Sequence, residues 1–297
     1  MTRRGGRLQA IQTLLELHSH RQARSVLDGD YASVFRGRGT EFEDLREYVA
    51  GDSVSDIDWK ATARAGKPLI RRYLPEHKNY LLLLVGTGRS MTAVAPDGTM
   101  KLALALDVAG VFANLALRHR DVVGAVFGDA GGLEAIQPRG SRAHVEYLLQ
   151  RLSDSAIDPD GPESDLPAVL DLAVRSRLPH GIVILITDDA DLGPSGERSL
   201  ALLHARHQIM VVRIADMNLA DSQAVDPFDV ETGLMVPDEV RFHPRLRAQA
   251  ATMTSYRAQM IERTLAMRGI AHGRVTGQDD LVETLIGLLE RHRHAGR

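Results

Sequence analysis

The chain contains no cysteine, one tryptophan and only 4% aromatic residues. Without cysteine there is no disulfide, no thiol nucleophile and no cysteine-ligated zinc, and the composition fits a reducing compartment. Charge of one sign is also missing. The chain's 36 Lys and Arg against 39 Asp and Glu leave a net charge of -3. No global field therefore points to nucleic acid or to an anionic membrane. Long hydrophobic runs are absent as well. The longest apolar tract, LALALDVAGVFANLAL, is interrupted by Asp107 and Asn114. It falls short of the ~20 apolar residues that cross a bilayer. The basic N-terminus lacks the apolar core of a signal peptide, and its LQAIQTLLEL has the spacing of an amphipathic helix. These absences give the expectation of a cytoplasmic protein with no membrane span and no nucleic-acid partner.

What is present is an ordinary globular balance, 44% hydrophobic and 25% charged over 297 residues. That suffices for one large domain or two modest ones with a real core. From Tyr80 onward, short all-apolar segments alternate with helical patterns. YLLLLV, GIVILIT and QIMVVRI read as strands buried on both faces, and DVVGAVF as a fourth strand. TMKLALALDVAGVFANLALRHR, SRAHVEYLLQRL, DLPAVLDLAVRSRL and RSLALLHARH read as helices between them, with Ser141 as an N-cap. Two further helices close the chain. This alternation predicts an α/β fold, a mostly parallel sheet flanked by helices. Residues 1–30 are expected to hold an N-terminal helix, 31–78 a strand-containing elaboration, and 79–293 the α/β domain. Ala215 to Pro244 carries seven acidic residues and one arginine, with a hairpin expected near Thr232-Gly233.

In such a sheet, loops at the carboxyl ends of the strands converge on one crevice. The first of these loops is Gly86-Thr87-Gly88-Arg89-Ser90-Met91. It is no phosphate cradle. Met91 stands where a dinucleotide fingerprint needs glycine, and no Lys-Ser or Lys-Thr pair follows. The strand GIVILIT leads into Asp188 and Asp189, which a neighbouring strand would bring close to Ser90. Hard cations such as Mg²⁺ take oxygen ligands of this kind.

Strand, serine loop, a later hydroxyl-bearing loop and a strand ending in Thr-Asp resemble the von Willebrand factor A domain and its metal-ion-dependent adhesion site. The resemblance implies a site in which Ser90 and Asp188 match and Ser164 substitutes for a threonine. Gly86 replaces the leading Asp and Gly88 the first Ser. One carboxylate and two hydroxyls imply no cofactor, or at most weakly bound Mg²⁺.

A denser resemblance lies upstream. Gly37, Gly39, Glu41, Phe42, Leu45, Arg46, Tyr48, Gly51, Asp52, Ile57, Asp58, Trp59, Ala63, Arg64 and Glu76 form a string that resembles the family called domain of unknown function 58. That resemblance implies a partner or adaptor of a MoxR-type AAA+ ATPase, acting in chaperone-like assembly on an unknown client. It implies a non-enzymatic protein–protein interaction module of the short type without membrane helices. From the residues alone, the arginines here match nearby carboxylates bidentately, and Trp59 suits a half-buried anchor. The alternative reading is a metal-dependent hydrolase using Asp56, Asp58 or Asp188. No H-E-x-x-H and no G-x-S-x-G setting supports it.

Overall fold

A computed structural model describes residues 21–36, 44–49, 54, 57–72, 79–155, 158, 160–176, 178–189, 192–218 and 228–295. Asp56 and the signature residues Gly37, Gly39, Glu41, Phe42, Gly51, Asp52 and Glu76 lie outside the described residues, as does the helix expected before Arg21. The chain divides into two units, Phe35–Lys78 and the remainder.

The smaller unit pairs β1 (Asp44–Glu47) antiparallel with β2 (Leu69–Arg72), with Leu45 opposite Arg71. Between them runs the short helix α2 (Trp59–Ala65). Asp58 caps its start, accepting from the N–H groups of Lys60 at 3.0 Å and Ala61 at 2.9 Å. Gly66 ends it at φ +69°, where a residue with Cβ is strained.

The larger unit contains α1 (Arg21–Arg36) up to Val34 and a six-stranded sheet. Its strands are β3 (Tyr80–Gly86), β4 (Val122–Asp129), β5 (Gly132–Arg139), β6 (Ile182–Asp188), β7 (Gln208–Ile214) and β8 (Ala271–Val275). In space they run β5-β4-β3-β6-β7-β8. Every neighbouring pair is parallel except β4 with β5, which form an antiparallel hairpin. This is the doubly wound order, and it reverses between β3 and β6.

Helices cover both faces. α3 (Lys101–Arg118) lies against β3, β4, β6 and β7, while α9 (Gln278–Ala295) lies against β8 and α3. On the opposite face, Leu82, Leu84, Val183, Leu185, Ile209 and Val211 pack on residues of α5 (Leu166–Arg175), α6 (Gly193–His204) and α8 (Pro244–Met267). Each such buried aliphatic side chain contributes about 1.5–3 kcal/mol of transfer free energy. α4 (Arg142–Asp154) covers the β4–β5 hairpin and starts at its Ser141 cap. α1 docks through Tyr31, whose hydroxyl donates to Asp121 at 3.2 Å, and through an Arg293–Asp30 pair at 2.9 Å.

The expected α/β fold with its mostly parallel, helix-flanked sheet is therefore observed. Two strands are additional to those expected, β5 and β8. The acidic segment contains an Asp229–Leu234 turn with a Phe228–Met235 bridge and Gly233 at φ +69°. The five-residue helix α7 (Asp238–Phe242) follows it.

Candidate functional site

The strand order reverses between β3 and β6, the point at which a doubly wound sheet forms its crevice, and the loop after β3 lies there. Its backbone is fixed at both ends. The Thr87 N–H donates to Gly128 O at 3.0 Å, and the Arg89 N–H to Pro162 O at 2.9 Å. A 3-10 turn, Arg89–Thr92, follows instead of a regular helix. The structure brings Ser90 and Ser164 together, with their hydroxyl oxygens 2.7 Å apart. Gly88 permits this approach. A Cβ there would lie 2.4 Å from Ser164 Cα and 2.5 Å from Ser164 N.

The acidic segment closes over the same loop. Glu231 Oε1 accepts the Ser164 N–H at 3.0 Å, and the Glu231 carbonyl accepts from Arg89 Nη2 at 2.5 Å. Arg89 also donates to Glu163 at 2.9 Å. Among the described residues, three buried atoms here have no hydrogen-bond partner, Glu231 Oε2, Thr87 Oγ1 and Arg89 Nε. Glu231 thus lies on the crevice, 67 residues from the serine it touches.

Asp188 has a partner that the sequence reading did not include. Lys101, at the start of α3 and 1% exposed, donates through Nζ to Asp188 Oδ2 at 3.2 Å and to Asp216 Oδ1. Burial works against the ammonium charge. Asp188 and Asp216 outweigh it, and the lysine titrates above its ordinary value. Asp216 moves the other way for an acid, raised first by burial and then by Asp188, with Lys101 opposing. The two directions agree physically, because two carboxylates share one ammonium and the surplus negative charge falls on Asp216.

Asp189 is engaged in a separate network. Arg213, 1% exposed, donates to it at 2.8 Å, and Arg274 donates twice at 3.0 and 2.7 Å. Arg213 also reaches Glu262 of α8 at 2.6 Å. Consecutive carboxylates at the end of β6 thus each meet an internal cation.

These residues do not fit a divalent ion. Gly86 supplies no carboxylate, Gly88 has no room for the missing serine, and an ammonium already contacts the Asp188 carboxylate. Displacing that ammonium while dehydrating Mg²⁺ carries a double cost. Among the described residues, no cluster of three His, Asp or Glu has metal-binding geometry.

In the smaller unit, three of the described signature residues, Tyr48, Ile57 and Asp58, have local roles. Asp58, offered above to a hydrolytic metal, caps α2. Ile57 bridges Ile70, Tyr48 N–H donates to Pro68 O at 3.0 Å, and Leu69 N–H donates to Thr62 Oγ1 at 3.0 Å. Ala63 and Arg64 are exposed on α2. Trp59 corrects the half-buried anchor expected of it. It is 66% exposed, the first residue of a two-turn helix that buries none of its side chains.

Residues 44–258 match the family described as protein of unknown function DUF58, and the chain belongs to that family. An uncharacterized protein of Mycobacterium tuberculosis and one of Mycobacterium bovis are each 27% identical over 264 residues. Each alignment covers 87% of this chain and 81% of the relative. Among solved structures, a von Willebrand factor type A protein from Catenulispora acidiphila is similar at a TM-score of 0.38 and 14% identity. That match covers 74% of this chain and 43% of the other. An aerotolerance-related membrane protein from Bacteroides fragilis matches at 0.42 and 15% identity, over 71% and 98% of the two chains. A membrane spanning protein from Vibrio fischeri matches at 0.26 and 21%, over 70% and 95%. Two of these similar structures are of proteins described as membrane proteins. That finding corrects the expectation of a cytoplasmic protein, and no location is assigned to the chain. Among the described residues, no helix is long and apolar enough to cross a membrane.

Proposed function

We propose that the chain is a non-enzymatic binding module whose crevice at the ends of β3 and β6 receives a group from a partner protein. The partner that the family resemblance implies is a MoxR-type AAA+ ATPase, with the chain acting as its adaptor in assembly of a client. One observation carries this reading. The Ser90–Ser164 hydroxyl pair stands by the end of β3, Asp188 ends the neighbouring β6, and the cation on Asp188 is the ammonium of Lys101. Such a site holds its shape without an ion. It offers Ser90, Ser164 and Arg89 to an incoming carboxylate or amide, with Glu231 resting where that group would arrive.

The test is capture of a purified MoxR-type ATPase on the immobilised chain, with and without EDTA. Binding is expected to persist in EDTA and to weaken about tenfold in Ser90→Ala and Arg89→Ala, the loss of one or two hydrogen bonds to a charged group. Absence of binding would remove the ATPase from the proposal. Binding that neither variant weakens would remove the crevice.

A further inference from the structure

α8 is 24 residues long, yet only Ala258 and Leu265 on it are buried. The side away from them carries a row of apolar residues. Leu246, Met253, Met260 and Met267 are 38%, 71%, 42% and 82% exposed. They recur every seventh residue and so form one seam about 31 Å long at 1.5 Å per residue. Tyr256, 62% exposed, stands three residues after Met253 on the same side. The row three residues later is Gln249, Tyr256 and Arg263, so the helix offers one continuous apolar row at the seven-residue period of a coiled-coil seam, with Tyr256 beside it. It is narrower than the broad apolar face of a helix that lies in a bilayer interface. Methionines suit such a seam because they adapt to a partner's shape.

The charges beside the seam select the partner. The helix carries four arginines and one acid, Glu262, and that acid is held by Arg213. Arg245 and Arg257 flank the seam on either side, where a coiled coil places its charged pairs, and Arg263 lies within it near its end. All three are exposed, and none makes an ion pair among the described residues. A parallel second copy of α8 would set Arg263 against Arg263 within the seam and leave Arg245 and Arg257 without carboxylates, at a cost similar to the gain from opposite charges. A helix with apolar a and d positions and Glu or Asp at e and g complements both the seam and the cations.

We infer that α8 is a docking ridge for an acidic amphipathic helix of another protein, a surface separate from the β3–β6 crevice. The probe is a fluorescent peptide of about four heptads, with Leu at a and d and Glu at e and g. Its counterpart carries Lys at e and g. Anisotropy titration of the full chain should show the acidic peptide binding at least about tenfold more tightly than the basic one. The double variant Met253→Glu/Met260→Glu should abolish the difference. Both residues are exposed, so its circular dichroism should match the parent's. Equal affinities, or a preference that survives the double variant, would overturn the inference. So would a dimer in sedimentation, or retention on anionic vesicles, that the double variant abolishes while the acidic peptide fails to compete.

Discussion

Two glycines in one loop do opposite things. A Cβ at Gly86 would meet only Leu166 Cδ1, at an ordinary 3.6 Å. The strand therefore has room for a side chain that it does not carry. At Gly88 a Cβ would collide with the Ser164 backbone. Gly86→Ala is expected to be neutral or to stabilise by about 0.4–1 kcal/mol through the unfolded chain. Gly88→Ser is expected to destabilise at the upper end of about 1–3 kcal/mol, as overpacking does. Urea denaturation of the two variants beside the parent checks both. Similar effects would mean that the loop does not rest on Ser164 as described. One residue missed in the sequence is Lys101. As a lone lysine beside an apolar helical run it looks like a polar helix start. Its signal was its position, since a cation in a helix's first turn opposes the macrodipole and needs a reason to be there. Asp188 and Asp216, 87 and 115 residues away, are that reason, and nothing local connects them.

At the scale of elements, the buried parallel strands were legible because each is apolar throughout. YLLLLV, GIVILIT and QIMVVRI need no alternation when both faces are covered. The sheet's outer strands were not legible. β5 contains Pro138 and is largely exposed, as an antiparallel edge strand is. β8 is five residues, AHGRV, with alternating burial and too little apolar content to stand out. Glu231 was obscured for a related reason. An acidic stretch reads as solvated, and only the hairpin's return to the loop after β3 gives one of its carboxylates a role. In the smaller unit the dense signature has a partly local explanation, since Asp58 caps α2 and Ile57 bridges Ile70. Asp58→Ala should cost about 1 kcal/mol of that unit's stability, the usual value of a lost N-cap. Amide exchange of the α2 residues would show it as faster opening. Unchanged exchange would return Asp58 to the functional residues.

For the whole molecule, the Lys101 cluster gives stability a pH dependence of determinate sign. Asp216 titrates above its ordinary carboxylate value, so the folded chain holds a proton that the unfolded chain has already released. Stability is then lost as pH rises from the ordinary Asp value of about 3.9 through the raised one. The side chain is 41% exposed, so solvent screening moderates the effect. Asp216→Asn can still accept from Lys101 and should flatten this slope in urea midpoints measured across acidic pH. An unaltered slope would remove Asp216 from the account. Lys101 acts at the other end. Its raised value adds stability that is complete below about pH 10.4 and is lost above it, as the folded lysine gives up its proton.

The central claim is that a lysine of the chain holds the place of a metal ion at the β3–β6 crevice. Calorimetric titration of Mn²⁺ into the parent chain, repeated with Ser90→Ala, tests it most directly. The account predicts no saturable binding in either protein below about 1 mM, the weak end of the range for oxygen-ligated divalent cations. Saturable micromolar binding to the parent that Ser90→Ala abolishes would contradict it.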